Sequence, residues 1–162
     1  MNAGRYRKIR EWFLCAPWRI KFLLIAYRGL PLFVAAGYAV CLALCFFCRR
    51  ELLFRAIFVP AAMFFLVSVF RHFADFQRPY EKEGIVPLIK KEKCGHSFPS
   101  RHAASAGMVA AVWTAYCLPA GIFFLAVGVL IAASRVFAGV HYVRDVLVGG
   151  VFGFFSVWIF FL

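Results

Sequence analysis

Five stretches of about 20 apolar residues, near 30–48, 51–70, 101–118, 119–138 and 145–162, restrict this chain more than any other feature. Each has the length and composition of a helix that crosses a bilayer. In hydrocarbon a segment must satisfy its own backbone hydrogen bonds, so the expected fold is all-α, a polytopic transmembrane helix bundle with five spans. A mean hydropathy of +0.82 and 21 Phe among 162 residues agree with this. The length is that of a single domain, 1–162.

Residues 5–28 read differently. They mix Trp12, Phe13, Trp18 and Phe22 with Arg5, Arg7, Lys8, Arg10, Arg19, Lys21 and Arg28. That mixture predicts a basic amphipathic helix lying in the interface, within an N-terminal segment 1–28, with a strained sixth span as the alternative. Arg19 and Lys21 interrupt the apolar stretch and no small-residue cleavage site follows, so the segment does not read as a signal peptide.

The net charge of +12 could suit nucleic acid, but the basic residues sit at the ends of apolar spans rather than along a soluble face. Anionic lipid headgroups are the better partner, and no nucleic-acid partner is expected. The six cysteines form no disulfide or zinc framework; Cys41, Cys45 and Cys48 share one helical face and read as small packing residues.

Three polar islands interrupt the apolar sequence: Arg71 to Pro79, Pro99 to His102 and Ser134 to Asp145. Tight turns at Arg49–Arg50–Glu51 and at Pro119 fall on the opposite face. Counting crossings brings the three islands to one side of the membrane, together with an extramembrane loop over 71–98 that carries Pro79, Pro87, Gly95 and the charged run Lys90, Lys91, Glu92, Lys93.

Each island has chemistry of its own. Arg71 and Arg78 stand two helical turns apart and are expected to project from one face before Pro79 ends the helix. Guanidinium forks match phosphate oxygens and stay charged at any working pH. Pro99 suits a first helical turn, with Ser97 or Phe98 as cap, so Ser100, Arg101 and His102 would offer N–H groups to an anion at a helix N-terminus. His141 is followed by Asp145 at i+4, a carboxylate able to hold one imidazole nitrogen and leave the other as a nucleophile.

The order and spacing of these residues resemble the type 2 phosphatidic acid phosphatase superfamily, PAP2, whose pattern is Lys-x6-Arg-Pro, Pro-Ser-Gly-His and Ser-Arg-x5-His-x3-Asp. Here the elements read Arg71-x6-Arg78-Pro79, Pro99-Ser100-Arg101-His102 and Ser134-Arg135-x5-His141-x3-Asp145. The third is a full match; Arg71 replaces the usual Lys and Arg101 the usual Gly. The resemblance spans roughly residues 50–162.

What the resemblance implies is a membrane lipid phosphatase that needs no metal or other cofactor. His141 would attack phosphorus, Asp145 would orient it, and His102 would protonate the leaving oxygen and later activate water. Arg71, Arg78, Ser100, Arg101 and Arg135 would bind phosphate, where losing one donor typically costs about 10²–10³ in rate. Isoprenyl pyrophosphate, phosphatidylglycerol phosphate and phosphatidic acid are the substrate types that fit. The alternatives are a phosphotransferase of the same family and a non-catalytic lipid-binding protein. The resemblance also implies a cell-membrane site facing outward, with 5–28 crossing as a sixth span. Against that, with 5–28 at the interface all Lys and Arg except Arg49, Arg50 and Arg55 lie on the site side, which the positive-inside rule would make cytoplasmic.

Overall fold

The computed structural model describes residues 3–90 and 94–162. Lys91, Glu92 and Lys93 of the charged run lie outside the described residues. The elements are α1 (Ala3–Leu14), α2 (Pro17–Cys48), α3 (Arg50–Ala74), α4 (Pro79–Lys82), α5 (Arg101–Tyr116), α6 (Leu118–Phe137) and α7 (Val143–Trp158). The fold is all-helical, as the apolar spans predict.

Boundaries differ from the sequence expectation at the N-terminus. In place of one amphipathic helix over 5–28, the chain breaks at Cys15 and Ala16, and Pro17 opens α2, a helix of 32 residues that absorbs Arg19, Lys21 and Arg28. Proline suits this position because its missing N–H would have no intrahelical acceptor there and its φ is already helical. The 12-residue α1 is left by itself, about 18 Å long by the helical rise and shorter than a span.

Among the described residues, three stretches are long and apolar enough to cross a membrane: Pro17–Cys48, Arg50–Lys82 and Leu118–Phe137. The helices α5 and α7 have 16 residues each, about 24 Å by the same rise. The five crossings expected are therefore supported by length and composition at three positions. Pro119 lies inside the first turn of α6, and the break between α5 and α6 falls at Cys117.

Two prolines sit within helices, and each exposes a carbonyl that a neighbouring helix captures. A helical proline has no N–H for the carbonyl four residues earlier. Pro60 thus releases the Ala56 carbonyl, which accepts from the Tyr38 hydroxyl at 2.5 Å and ties α3 to α2. Pro31 releases the Tyr27 carbonyl, which accepts from Arg135 Nη2 at 2.9 Å and ties α2 to α6.

The core is built around α5, where Ala103, Ala104, Ala106, Met108, Val109, Ala110, Ala111 and Val112 are all buried. Small residues let α7 press against it, the usual solution for helices that meet inside lipid. A Cβ on Gly153 would stand 2.2 Å from the Ala104 carbonyl oxygen, and one on Gly149 would stand 2.6 Å from that of Ser100. This close seam carries the N-terminus of α7 beneath the N-terminus of α5. Cys41 and Cys45 of the cysteine face are buried in the same core, whereas Cys48 is exposed.

The remaining anchor is α1. Its Tyr6 is buried; the hydroxyl accepts from the Leu88 N–H at 3.1 Å and packs against Gly139, whose φ of +78° favours glycine. The N-terminal helix is thereby fixed to the two connections, before α5 and after α6, that hold polar islands.

Candidate active site

The turn after α6 carries His141, and the first turn of α7 carries Asp145. Asp145 is fully buried, and its Oδ2 accepts the Tyr142 N–H at 3.0 Å, which fixes the carboxylate at the helix start. His141 is also buried, with Nδ1 3.5 Å from Asp145 Oδ2. Contact through Nδ1 leaves Nε2 as the nitrogen available for reaction. Burial holds the His141 pKa down to about 4, outweighing the opposite pull of the Asp145 carboxylate. The imidazole is therefore neutral at physiological pH, the state in which a ring nitrogen has a lone pair to donate.

A third residue joins this pair. The buried Ser97 hydroxyl donates to Asp145 Oδ2 at 2.5 Å and lies 3.4 Å from His141 Nδ1. Sequence reasoning gave Ser97 no role beyond a helix cap, and even that falls to Ser100, since α5 begins at Arg101. No periodic or spacing signal distinguishes a serine in this loop; only its place two residues before Pro99 hints at proximity to the second island.

The four arginines come from four elements: Arg71 from α3, Arg78 from the start of α4, Arg101 from α5 and Arg135 from α6. Arg71 is buried in the last turn of α3, and its Nη1 donates to the Ser97 carbonyl at 3.1 Å; Nη1 also reaches the Pro99 carbonyl and Nη2 that of His96. Arg78 is buried as well, donating from Nε to the Gly95 carbonyl at 2.9 Å and from Nη1 to the Val140 carbonyl at 3.3 Å. The helix was expected to continue to Pro79, with both arginines on one face. It stops at Ala74 instead, because Asp75 takes a left-handed conformation, and Arg78 caps the short α4. The two side chains still converge, since both grip the strap of residues 95–99.

That strap is held from several directions. The Gly95 N–H donates to the Glu81 carboxylate at 2.9 Å, the His96 N–H to Asp75 Oδ1 at 3.2 Å and the Ser97 N–H to the Phe76 carbonyl at 2.8 Å. The peptide between Phe98 and Pro99 is cis. His72 and His96 stack on one another with ring centroids 6.0 Å apart, and His96 Nδ1 lies 2.8 Å from the Arg71 carbonyl. Both belong to the support of the strap.

Ser100 follows, fully buried, with its N–H donating to the Asp145 carbonyl at 2.8 Å. This differs from the expectation that the same N–H faces an anion. Its Oγ has no hydrogen-bond partner among the described residues, a buried hydroxyl of the kind that a ligand oxygen can satisfy. Arg101 and His102 are exposed on the protein surface and line a cavity of about 390 Å³, whose other walls include Pro31, Val34, Phe64, Ser105 and Ile131. Arg135 is buried at the end of α6, stacked over the Tyr27 ring with Cζ 3.7 Å from its centroid.

All eight residues singled out in the sequence thus lie at one end of the bundle. Ser97, Ser100, His141 and Asp145 are linked by direct contact, and Arg71 and Arg78 reach the same strap. Arg101 and His102 line the adjoining cavity, and Arg135 is joined to the group through the short turn that ends at His141.

Solved structures have the same architecture. One titled the crystal structure of Aquifex aeolicus LpxE has a TM-score of 0.63 at 24% identity, covering 86% of this chain and 92% of that one. Another, titled the first transmembrane PAP2 type phosphatidylglycerolphosphate phosphatase from Bacillus subtilis, has a TM-score of 0.70 at 24% identity, covering 98% of this chain and 83% of that one. At such identities the likeness is one of fold. No curated protein matches the sequence. The family profile described as PAP2 superfamily matches residues 52–162, a range that holds all three polar islands and the helices that bring them together, and the chain belongs to that superfamily.

Proposed function

We propose that this membrane protein hydrolyses a phosphate or pyrophosphate monoester of a lipid through a phosphohistidine, without a metal. The observation that carries the reading is the buried Ser97–Asp145–His141 contact, at the strap that Arg71 and Arg78 grip, with Arg101 and His102 at the start of α5 lining a cavity with apolar walls. Asp145 holds Nδ1 of a neutral imidazole. Nε2 forms a bond to phosphorus as the ester P–O bond breaks, and His102 gives a proton to the departing oxygen. Water then attacks phosphorus, the N–P bond breaks, and His102 takes the proton that water loses.

Arg71, Arg78, Ser100, Arg101 and Arg135 are the donors proposed for the phosphate oxygens. In a buried site such donors act on charge that grows in the transition state. The apolar walls contributed by Pro31, Val34, Phe64 and Ile131 suit a tail that stays in hydrocarbon while the headgroup meets Arg101 and His102. Isoprenyl pyrophosphate, phosphatidylglycerol phosphate and phosphatidic acid all have that form. In this reading α2, α3, α5, α6 and α7 are the five crossings and α1 rests at the interface.

The test is to quench the protein during turnover and map the phosphorylated residue by mass spectrometry. Acid-labile phosphate on His141 is expected, enriched in His102→Ala. Phosphate on a serine, or on no residue while product accumulates, would contradict the mechanism.

A further inference from the structure

We propose that Tyr27 of α2 is a positioning residue for Arg135, with Pro31 freeing the Tyr27 carbonyl that accepts from it. The proposal rests on the reading of Arg135 as a phosphate donor. Tyr27 and Pro31 lie outside residues 52–162, the range that the family profile matches.

Two contacts and one backbone feature meet at this point. Arg135 Nη2 donates to the Tyr27 carbonyl at 2.9 Å, and Cζ lies 3.7 Å from the centroid of the Tyr27 ring. Pro31 lies four residues after Tyr27 inside the same helix, and this removes the N–H that would otherwise occupy the carbonyl. One residue thus grips the guanidinium by its backbone on one edge and by its ring on one face.

The grip leaves donors unused. Arg135 Nε is buried with no hydrogen-bond partner among the described residues. A fixed guanidinium plane with an unsatisfied donor edge is already ordered for a ligand oxygen, so binding does not have to immobilise a flexible side chain. Ring stacking also replaces part of the hydration that the cation loses on burial. The Tyr27 hydroxyl contributes no hydrogen bond among the described residues, so the ring and the carbonyl are what matter.

The experiment compares wild type, Tyr27→Leu, Tyr27→Phe, Pro31→Ala and Arg135→Ala in detergent, by initial rates on lipid phosphates and by binding of inorganic phosphate. Losing a desolvated ring–guanidinium contact should lower kcat about tenfold in Tyr27→Leu, while Tyr27→Phe recovers most of the loss. Pro31→Ala, which returns a competing N–H to the carbonyl, should give a smaller loss. In an Arg135→Ala background Tyr27→Leu should add almost nothing, because its effect passes through Arg135. Equal losses in both backgrounds, or full activity in Tyr27→Leu, would overturn the proposal.

Should wild type release no phosphate from any lipid, the phosphatase reading fails and the binding series decides the positioning role separately. Weakened phosphate binding in Tyr27→Leu that Tyr27→Phe restores supports the role. Equal binding in wild type and Tyr27→Leu overturns it.

Discussion

Ser97 and Asp145, 48 positions apart in the chain, meet through a hydroxyl–carboxylate hydrogen bond of 2.5 Å that also brings the serine within 3.4 Å of His141. The bond joins the strap before α5 to the first turn of α7. A hydrogen bond to a charged group contributes about 1.5–3 kcal/mol, so Ser97→Ala should lower kcat roughly tenfold to a hundredfold with little change in KM. Steady-state rates at saturating lipid check this, and an unchanged kcat would remove Ser97 from the site.

The His141 imidazole should titrate far below an ordinary histidine. Its pKa is depressed by burial to about 4, so the folded protein keeps it neutral while the unfolded chain takes up a proton below about 6.5. Protons bound preferentially by the unfolded state mean that the His141 contribution to stability is lost as pH falls from about 6.5 toward 4. Ring-carbon NMR on labelled protein, assigned with His141→Ala, should find that midpoint near 4. A midpoint near 6.5 would mean that water reaches the ring.

Arg71 links the carbonyls of His96, Ser97 and Pro99. Arg71→Ala would leave those buried acceptors unpaired, at about 1–3 kcal/mol for each one that water does not reach. Thermal unfolding in detergent should show a drop of several degrees together with lost activity. Arg71→Lys keeps the charge but not the fork, and should fall between wild type and Arg71→Ala in both readouts. Equal stability in all three would contradict this support role.

The α5–α7 seam makes a separate prediction. A methyl on Gly153 would overlap the Ala104 carbonyl, so Gly153→Ala must push α7 outward, a change that typically costs about 1–3 kcal/mol. Because the same seam holds Asp145 against Ser100 and Ser97, activity should fall with stability. Full activity in a destabilised Gly153→Ala protein would separate the seam from the site.

Much of this arrangement was legible in the sequence. The apolar lengths give the helices, and counting crossings brings Arg71, Arg78, His102, Arg135, His141 and Asp145 to one end. Less legible were features that depend on backbone conformation. The left-handed Asp75 ends α3 at Ala74, a residue choice that composition does not reveal. Charges at Arg19, Lys21 and Arg28 suggest an interfacial helix over 5–28, yet a long helix that begins at Pro17 takes all three into its N-terminal half. Ser97 had no spacing signal, since its partner depends on how the strap folds. The link from Arg135 to Tyr27 did leave a trace in Pro31, because a proline inside a helix frees a known carbonyl. Which side chain takes that carbonyl is decided by the packing of α2 on α6.

The central claim is tested most directly by phosphate release from a panel of lipid phosphates in detergent with EDTA present, wild type beside His141→Ala. The account predicts release that survives chelation in wild type and disappears in His141→Ala, with both proteins folded and monodisperse. Release that persists in His141→Ala, or that stops when EDTA is added to wild type, would contradict it.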